Sequence, residues 1–432
     1  MIARGVRAVR EMYELTQGLG NLRVMLVSGL VGMVAGGLLN PVMPLYLQSR
    51  GLDLQGIGLV YTAGSLVPIF LQPVMGALSD RYSRKAFVVS LSLATSLLVP
   101  LMALFSHPLP LAAALSLKLL LARTAQPVNG ALVADFAPSK KRATIFSLLD
   151  ATSSLTFVAA LTASAAVIRW LGTQGTFFLA GALFLVSSLL LLRLEEPKRE
   201  APKAQPKGGQ LRLALESLRA PFDYVRETPR MAGLFAWQFF FAFALNLFPI
   251  YIPLYAMSMG APAELVGPLV AVSWLVYAFA QPFGGRLSDG LPRRNGLILA
   301  GLAGMVLMSA VLGLAGWLPA PYGLIVMVVA WALLAVPDGL HRPAAQAVVV
   351  EAAPTSERGR FLGALGGCAA LAQVLAPLSY GFVARHAGLS SAFLLSSGAL
   401  FLSLVAMAWA PERTAPAVVA HTPVLTSSQE PG

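Results

Sequence analysis

The feature that most constrains this chain is a succession of long apolar segments separated by short polar ones. Twelve of them reach the roughly 20 residues that a helix needs to cross a bilayer. Only 12% of the residues are charged, about half of the share found in soluble domains. The sequence therefore predicts an all-α polytopic membrane protein. Its predicted spans are 22–47, 54–75, 86–106, 109–135, 143–168, 173–194, 231–257, 262–285, 295–317, 321–350, 360–384 and 388–410.

The distribution of Lys and Arg accounts for the formal net charge of +12. The N-terminal segment, the loops after even-numbered spans and the C-terminal tail, together with the span ends that border them, hold 25 of these 31 residues, whereas the loops after odd-numbered spans hold 3. In membrane proteins the basic loops lie on the cytoplasmic side. We therefore expect a cytoplasmic (inner or plasma) membrane location with both termini in the cytoplasm. The basic residues then need no nucleic-acid partner.

Several functional classes are excluded by what the sequence lacks. HExxH, GxSxG and P-loop motifs are absent, which argues against an enzyme and against an ATP-driven pump. The single cysteine, Cys368, excludes an intramolecular disulfide and most thiolate metal sites. The basic segment 1–23 precedes an apolar run that is too long for a signal-peptide core, so we expect an uncleaved first span. Neither a metal nor a cofactor is expected.

The two halves of the chain repeat one pattern of elements. Residues 40–85 align without gaps on 249–294, with sixteen identities in 46 positions. Residues 131–142 align on 347–358 at a slightly different offset. Two parallel repeats of six spans joined by a linker are the plan of a secondary transporter.

This repeat predicts four segments in the chain. The linker contains leucines at helical spacing, which fit either a short amphipathic helix on the membrane surface or a loosely helical connection with no special role. The predicted segments are an N-terminal six-helix bundle (1–194), a cytoplasmic linker (195–230), a C-terminal six-helix bundle (231–410) and a disordered cytoplasmic tail (411–432).

A cluster of charges interrupts the apolar pattern once in each half. The first is "GALSDRYSRK" at 76–85, and its counterpart at 285–294 is "GRLSDGLPRR". The first resembles the signature Gly-x-Leu-Ser/Ala-Asp-Arg-x-Gly-Arg-Lys of the major facilitator superfamily, with Ser83 where the pattern prefers glycine. The resemblance covers essentially residues 20 to 410. It implies twelve transmembrane helices in two pseudo-symmetric six-helix bundles.

The resemblance also implies that these charges form a latch between the two halves. Asp80 is expected to meet the start of a helix from the other half, and Arg84 to pair with Asp135. Such contacts form in one conformation and break in the other. Alternatively, Arg81, Arg84 and Lys85 are only positive-inside anchors. The candidate latch residues are Gly76, Asp80, Arg81, Arg84, Lys85, Asp135, Gly285, Asp289, Arg293 and Glu351.

Ionisable groups within the spans form a second set of candidates, because unpaired charges in a bilayer are costly. Arg123 lies near the middle of span four in "ARTAQPVNG", which resembles the family's Arg-x-x-Gln-Gly element with Pro127 in place of glycine. In relatives that arginine faces the central cavity and is associated with proton coupling. Gln126 and Asn129 lie close to the same helix face.

Span ten, the repeat partner of span four, carries Asp338, His341 and Arg342 at i, i+3 and i+4, and thus on one face. In the resembled fold, spans one, four, seven and ten line the cavity, so this face is expected to meet it. Either Asp338 simply neutralises Arg342, or the group binds the coupled proton. Asp150, in the first turns of span five, is a second carboxylate candidate. Lys118 is weaker, since it can snorkel toward an outer cavity.

Other polar and aromatic side chains in the expected cavity helices indicate an amphipathic pocket. Singly, each is more often a packing residue than a ligand contact. They are Asn40 in span one and Trp237, Gln238, Asn246 and Tyr251 in span seven, with Trp274, Tyr277 and Gln373 as weaker additions.

Two transport functions fit these residues. One is proton-coupled efflux of drug-like or amphipathic molecules, as in the drug:proton antiporter branch that the chain generally resembles. That branch usually carries a Gly-x-x-x-Gly-Pro-x-x-Gly-type signature in span five, and residues 146–167 have neither its glycines nor its proline. The other is uptake or exchange of a polar or anionic metabolite such as a sugar or organic acid, since intramembrane cations outnumber acids.

We favour efflux by a monomer. Its expected partners are a small-molecule substrate, protons and the lipid bilayer, with the proton gradient as the driving force. A non-transporting sensor is disfavoured, because the sequence has no large soluble domain to relay a signal.

Overall fold

The computed structural model describes residues 20–81, 83–136, 142–195, 226, 231–291, 294–352 and 358–410. Every regular element in these ranges is an α-helix. The predicted tail and nearly all of the predicted linker lie outside the described residues. The helices are α1 (Gly20–Ser49), α2 (Leu54–Arg81), α3 (Arg84–Met102), α4 (Pro108–Phe136), α5 (Arg142–Leu191), α6 (Met231–Leu245), α7 (Phe248–Ser258), α8 (Ala263–Gly290), α9 (Asn295–Ala315), α10 (Tyr322–Ala352) and α11 (Arg358–Trp409).

The lengths of these helices account for the predicted spans. Within the described ranges, nine helical stretches are long and apolar enough to cross a membrane, and Leu54–Ile69 of α2 adds a shorter apolar one. Two of the nine, Leu149–Leu191 and Phe361–Trp409, have 43 and 49 residues, enough for two crossings each. α6 and α7 together form span seven, which is broken just before Pro249. The predicted all-α fold with two helical bundles is confirmed.

Four glycines with positive φ mark the points where the chain reverses. Gly51 (φ 92°) and Gly260 (φ 91°) follow α1 and α7, while Gly172 (φ 67°) and Gly388 (φ 83°) divide α5 and α11. Glycine adopts this left-handed conformation without the clash that a Cβ introduces. The members of the two pairs lie 209 and 216 residues apart. Each half therefore turns at equivalent positions, as the repeat predicts.

Helix packing follows the same repeat. In the first half α1 packs on α5, α2 on α4, and α3 on both α4 and α5. In the second half α6 packs on α11, α8 on α10, and α9 on both α10 and α11. The halves meet where α2 packs on α11 and α8 packs on α5, with a smaller contact between α1 and α7. We call the end of the bundle that carries Asp53 and Arg385 the Asp53 end, and the opposite end, at Arg84, the Arg84 end.

Candidate functional site

An ion pair inside α10 joins Asp338 and Arg342, one helical turn apart. Nη2 of Arg342 donates to Oδ2 of Asp338 at 3.0 Å and to Oδ1 at 3.1 Å, and Nε donates to Oδ1 at 3.2 Å. The guanidinium carbon also lies 5.5 Å from the ring centre of Phe241 in α6 and 5.3 Å from that of Tyr277 in α8, within cation–π range. The side chains of Asp338 and Arg342 are 13% and 32% exposed. This pair is neutral as a unit, supported by two rings and partly accessible.

A second carboxylate approaches this pair from the other half. Asp150 is exposed on α5 and lies within electrostatic range of Tyr277, as do Asp338 and Arg342. Since α5 belongs to the first half and α8 and α10 to the second, the groups meet across the contact between the halves. Asp150 and the Asp338–Arg342 pair thus lie around the same tyrosine. We call Asp150, Tyr277, Asp338 and Arg342 the carboxylate cluster.

His341 lies on a different side of α10 from the exposed groups of the cluster. Its side chain is 0% exposed, its Nδ1 is 2.9 Å from the carbonyl oxygen of Pro337, and its ring centre is 5.3 Å from that of Phe241. A Cβ on Gly301 of α9 would overlap this histidine. Because a carbonyl only accepts, Nδ1 carries the proton, and Nε2 has no hydrogen-bond partner among the described residues. In this conformation His341 serves helix packing.

Arg123 in α4 reaches across to the second half. Its Nη1 donates to Oε1 of Gln373 in α11, and Tyr61 of α2 lies within electrostatic range. The Arg123 side chain is half-buried, whereas Gln126 and Asn129, nearer the Arg84 end, are exposed. Arg123 is therefore one of the polar contacts that join the two halves.

The two arginine sites are related by the internal repeat. Arg123 has a tyrosine from α2 and a polar partner from α11. Arg342 has a tyrosine from α8, and an acid from α5 lies near that tyrosine. After superposing the repeats, the residues of the α10 site are displaced toward the Arg84 end by three to seven positions, which is about one to two helical turns. The chemistry also differs, since α11 contributes an amide and α5 a carboxylate. The two sites are thus similar in plan and different in charge.

The other predicted cavity residues are mostly involved in packing. Trp237 is buried and stacks on Phe241 with ring centres 5.8 Å apart. The side-chain amide of Asn246 donates to a carbonyl of its own helix at 2.7 Å. Asn40 and Gln238 are half-buried. These placements leave their predicted role in the cavity untested.

Some residues of the two sites were missed or ranked low by sequence reasoning. Phe241 and Tyr61 were not among the candidates, and Tyr277 and Gln373 were only weak ones. A usable signal was that the two tyrosines occur on the repeat-equivalent helices α2 and α8, beside the helices that carry the intramembrane arginines. Neither periodicity nor motif spacing shows which helix lies next to which arginine.

At the Arg84 end each half holds an ion pair at the predicted latch positions. Nη1 of Arg84 lies 2.9 Å from both carboxylate oxygens of Asp135. In the second half Glu351 pairs with Arg294. The predicted counterpart, Arg293, lies outside the described residues. Both observed pairs join helices of the same half.

The remaining latch positions are only partly described, so the latch between the halves stays a prediction. Gly76 lies within α2, and the side chains of Asp80 and Arg81 lie outside the described residues. Ser83, where the family pattern prefers glycine, caps α3 by accepting the backbone N–H of Ala86 at 3.0 Å. Three further latch positions are described: Lys85 and Gly285 are half-buried, and Asp289 is exposed.

Comparisons with known proteins agree with this architecture. The sequence model of the Major Facilitator Superfamily matches residues 25–276 and 258–426. An uncharacterised MFS-type transporter of Methanocaldococcus jannaschii is 20% identical over 87% of this chain and 94% of its own length. The multidrug resistance protein MdtG of Klebsiella pneumoniae is 29% identical over 37% of this chain and 38% of its own length.

Solved structures show the same fold. The crystal structure of the nucleoside transporter NupG superposes with a TM-score of 0.71 at 14% identity, covering 90% of this chain and 98% of that one. This likeness concerns the fold alone. Because the family model matches both halves of the chain, the protein is a multi-pass membrane transporter of small molecules that belongs to the major facilitator superfamily, a family of non-enzymatic carriers.

Proposed function

We propose that this protein exports drug-like or amphipathic small molecules across the cytoplasmic membrane in exchange for protons. The observation that carries the proposal is the carboxylate cluster, in which Asp338 pairs with Arg342 and Asp150 from the other half lies near the same tyrosine, Tyr277. A proton bound there neutralises the excess negative charge. Its release leaves an anionic site beside aromatic rings, which suits a cationic amphipath.

The position of the cluster links protonation to conformational change. Asp150 is carried by the first half, whereas Tyr277, Asp338 and Arg342 are carried by the second. Protonation changes the electrostatic attraction between the halves and so shifts the balance between the two open states. Substrate in the cavity biases the same balance as the bundles rock about a central site. The ring of Phe241 from α6 contacts Arg342, and His341 packs against the same ring.

We further propose that one chain is the transport unit and that both termini lie in the cytoplasm. The distribution of 25 basic residues against 3 in alternate loops supports this orientation. The Asp53 end then faces the outside. Similarity to a multidrug resistance protein over 37% of the chain supports drug-like substrates.

A second candidate function is uptake or exchange of a polar or anionic metabolite. Lys118 favours it, because this half-buried ammonium in α4 has no ion-pair partner among the described residues. A charge within a membrane span needs a counter-charge or water. An anionic substrate supplies that counter-charge, and Arg123, five residues further along the same helix, adds to the attraction.

The test is proton exchange in liposomes that contain the purified protein, a pH dye and an imposed proton gradient. Lipophilic cations and small organic anions are added in turn to the wild type, Asp338→Asn and Arg123→Ala. The control is Glu264→Gln, which removes an exposed acid outside the cluster. Proton release that is triggered by cations and lost only in the site variants supports antiport. A response only to anions selects the second function, and no proton movement with any compound contradicts proton coupling.

A further inference from the structure

The contact between α2 and α11 is a continuous polar seam that begins at the Asp53 end. There Nη1 of Arg385 lies 2.8 Å from Oδ2 of Asp53 and donates to Oε1 of Gln55 at 3.1 Å. Oδ1 of Asp53 accepts the backbone N–H of Gly56 at 2.7 Å. The first turn of α2 is thereby tied both to its own N-cap and to the opposite half.

The middle of the seam is built on backbone carbonyl groups. The hydroxyl of Tyr251, from α7, lies 3.3 Å from the carbonyl oxygen of Leu54 in α2 and 3.2 Å from that of Pro377 in α11. One buried hydroxyl thus bridges the two helices. Gly58 approaches α11 so closely that a Cβ at this position would overlap the carbonyl oxygen of Pro377. The seam therefore depends on glycine where the helices are closest.

The inner end of the seam is the Arg123 site. Oγ1 of Thr62 donates to the carbonyl oxygen of Val374 at 3.0 Å. The next residue toward the N-terminus of α11, Gln373, accepts a hydrogen bond from Arg123. Since Gln373 and Val374 are adjacent on one rigid helix, separation of α2 from α11 here also removes Gln373 from Arg123.

The equivalent contact between α8 and α5 is built differently. Gly267, the repeat counterpart of Gly58, packs against the carbonyl of Leu161 and the side chain of Ser164. Beside it, Phe157 and Trp274 meet edge to face with ring centres 5.6 Å apart. Close glycine packing is common to both contacts. The α2–α11 seam additionally carries a cationic contact at each end.

We propose that the α2–α11 seam is the gate of the Asp53 end, and that Gln373 is a positioning residue that holds Arg123 while this gate is closed. Alternating access requires this end to part. When it parts, Arg123 loses the amide and turns its guanidinium to groups in the cavity. The proposal rests on the proposed function only in treating Arg123 as a cavity residue.

The test measures the opening of the gate directly. Ser49 and Ser258 are exposed, repeat-equivalent last residues of α1 and α7 on opposite halves. Both are changed to cysteine in a Cys368→Ser background and spin-labelled, and their separation is measured by double electron–electron resonance. The expected wild-type distribution is dominated by a short distance. Gln373→Leu should raise the open-to-closed ratio by roughly tenfold or more, as expected for a lost hydrogen bond to a charged group. Gln373→Glu, which keeps an acceptor and adds a charge, should lower that ratio.

The matched control is Gln174→Leu. Gln174 donates to the carbonyl oxygen of Ala103 within the first half, so its loss should leave the distance distribution unchanged. Identical distributions for the two Gln→Leu variants overturn the proposal. If Gln373→Leu does not purify as a monodisperse protein, Thr62→Val replaces it. We expect this variant to raise the open-to-closed ratio by less than Gln373→Leu. An unchanged ratio would contradict the gate. These distances require no transport. A normal gating response without proton-coupled flux therefore contradicts the proposed function and not the gate.

Discussion

The pairing of Asp338 with Arg342 allows a quantitative prediction. Three N–H···O contacts of 3.0–3.2 Å join the two side chains. Hydrogen bonds to charged groups contribute about 1.5–3 kcal/mol, and removing one partner of a fully buried pair costs about 3–5 kcal/mol. Arg342 keeps 32% exposure and two ring contacts, so part of its charge stays solvated or supported. We therefore expect a coupling free energy of about 1.5–3 kcal/mol between the two side chains.

The assay is a double-mutant cycle of Asp338→Asn, Arg342→Gln and the double variant. Reversible unfolding in mixed micelles with increasing denaturing detergent gives the free energy of unfolding of each protein. Arg342→Gln should cost the most, because it leaves the largely buried carboxylate of Asp338 without its cation. The double variant should be less destabilised than the sum of the single variants by the coupling free energy.

The control cycle uses Asp53→Asn and Arg385→Gln. The side chains of Asp53 and Arg385 are 47% and 55% exposed, and exposed ion pairs contribute about 0–1 kcal/mol. A coupling free energy for Asp338 and Arg342 below about 0.5 kcal/mol, no larger than this control, refutes the reasoning. In that case Asp338 and Arg342 behave as two separately solvated groups, and the carboxylate cluster is not held together by their ion pair.

Three further changes test the other sites. Asp150→Asn should abolish substrate-driven proton movement in liposomes while substrate binding persists, and normal proton movement would exclude Asp150 from coupling. Arg123→Ala should reduce transport by about tenfold or more and also lengthen the spin-label distance at the Asp53 end, whereas unchanged flux would remove Arg123 from the site. Asp80→Asn should lower the transport flux while immunoblotting shows largely unchanged protein levels. A normal flux would contradict the predicted latch.

The fold was predictable because a bilayer permits few solutions. Backbone groups in hydrocarbon must be paired internally, so long apolar segments of this kind have to be helices. The repeat then supplies the arrangement of the halves. Its alignment already pairs Gly51 with Gly260, and both adopt positive φ after equivalent helices. Gly172 and Gly388 lie outside the aligned segments, and the gapless match gave no indication that they form a second pair.

The candidate sites were less predictable, because side-chain environments depend on helices that are distant in sequence. Helical spacing places His341 beside Asp338 and Arg342. The structure buries it because Gly301 of α9 leaves room for the imidazole. The motif alignment names Arg293 as the counterpart of Arg84; Arg293 lies outside the described residues, and the pair that is described joins Glu351 to Arg294.

The differences between the two repeats explain how the proposed gating and the proposed proton coupling can belong to different sites of one architecture. A strictly symmetric carrier has the same group facing Arg123 and Arg342, so protons and substrate act equally on both contacts between the halves. Here the opposite half gives Arg123 the amide of Gln373, whereas at the second site it carries the carboxylate of Asp150 near Tyr277. An amide holds a guanidinium without responding to protons, which suits a gate. A carboxylate releases its hold when protonated, which suits coupling. Because the carboxylate site lies about one to two turns nearer the Arg84 end, the proposed protonation acts on that end and the proposed α2–α11 gate on the other.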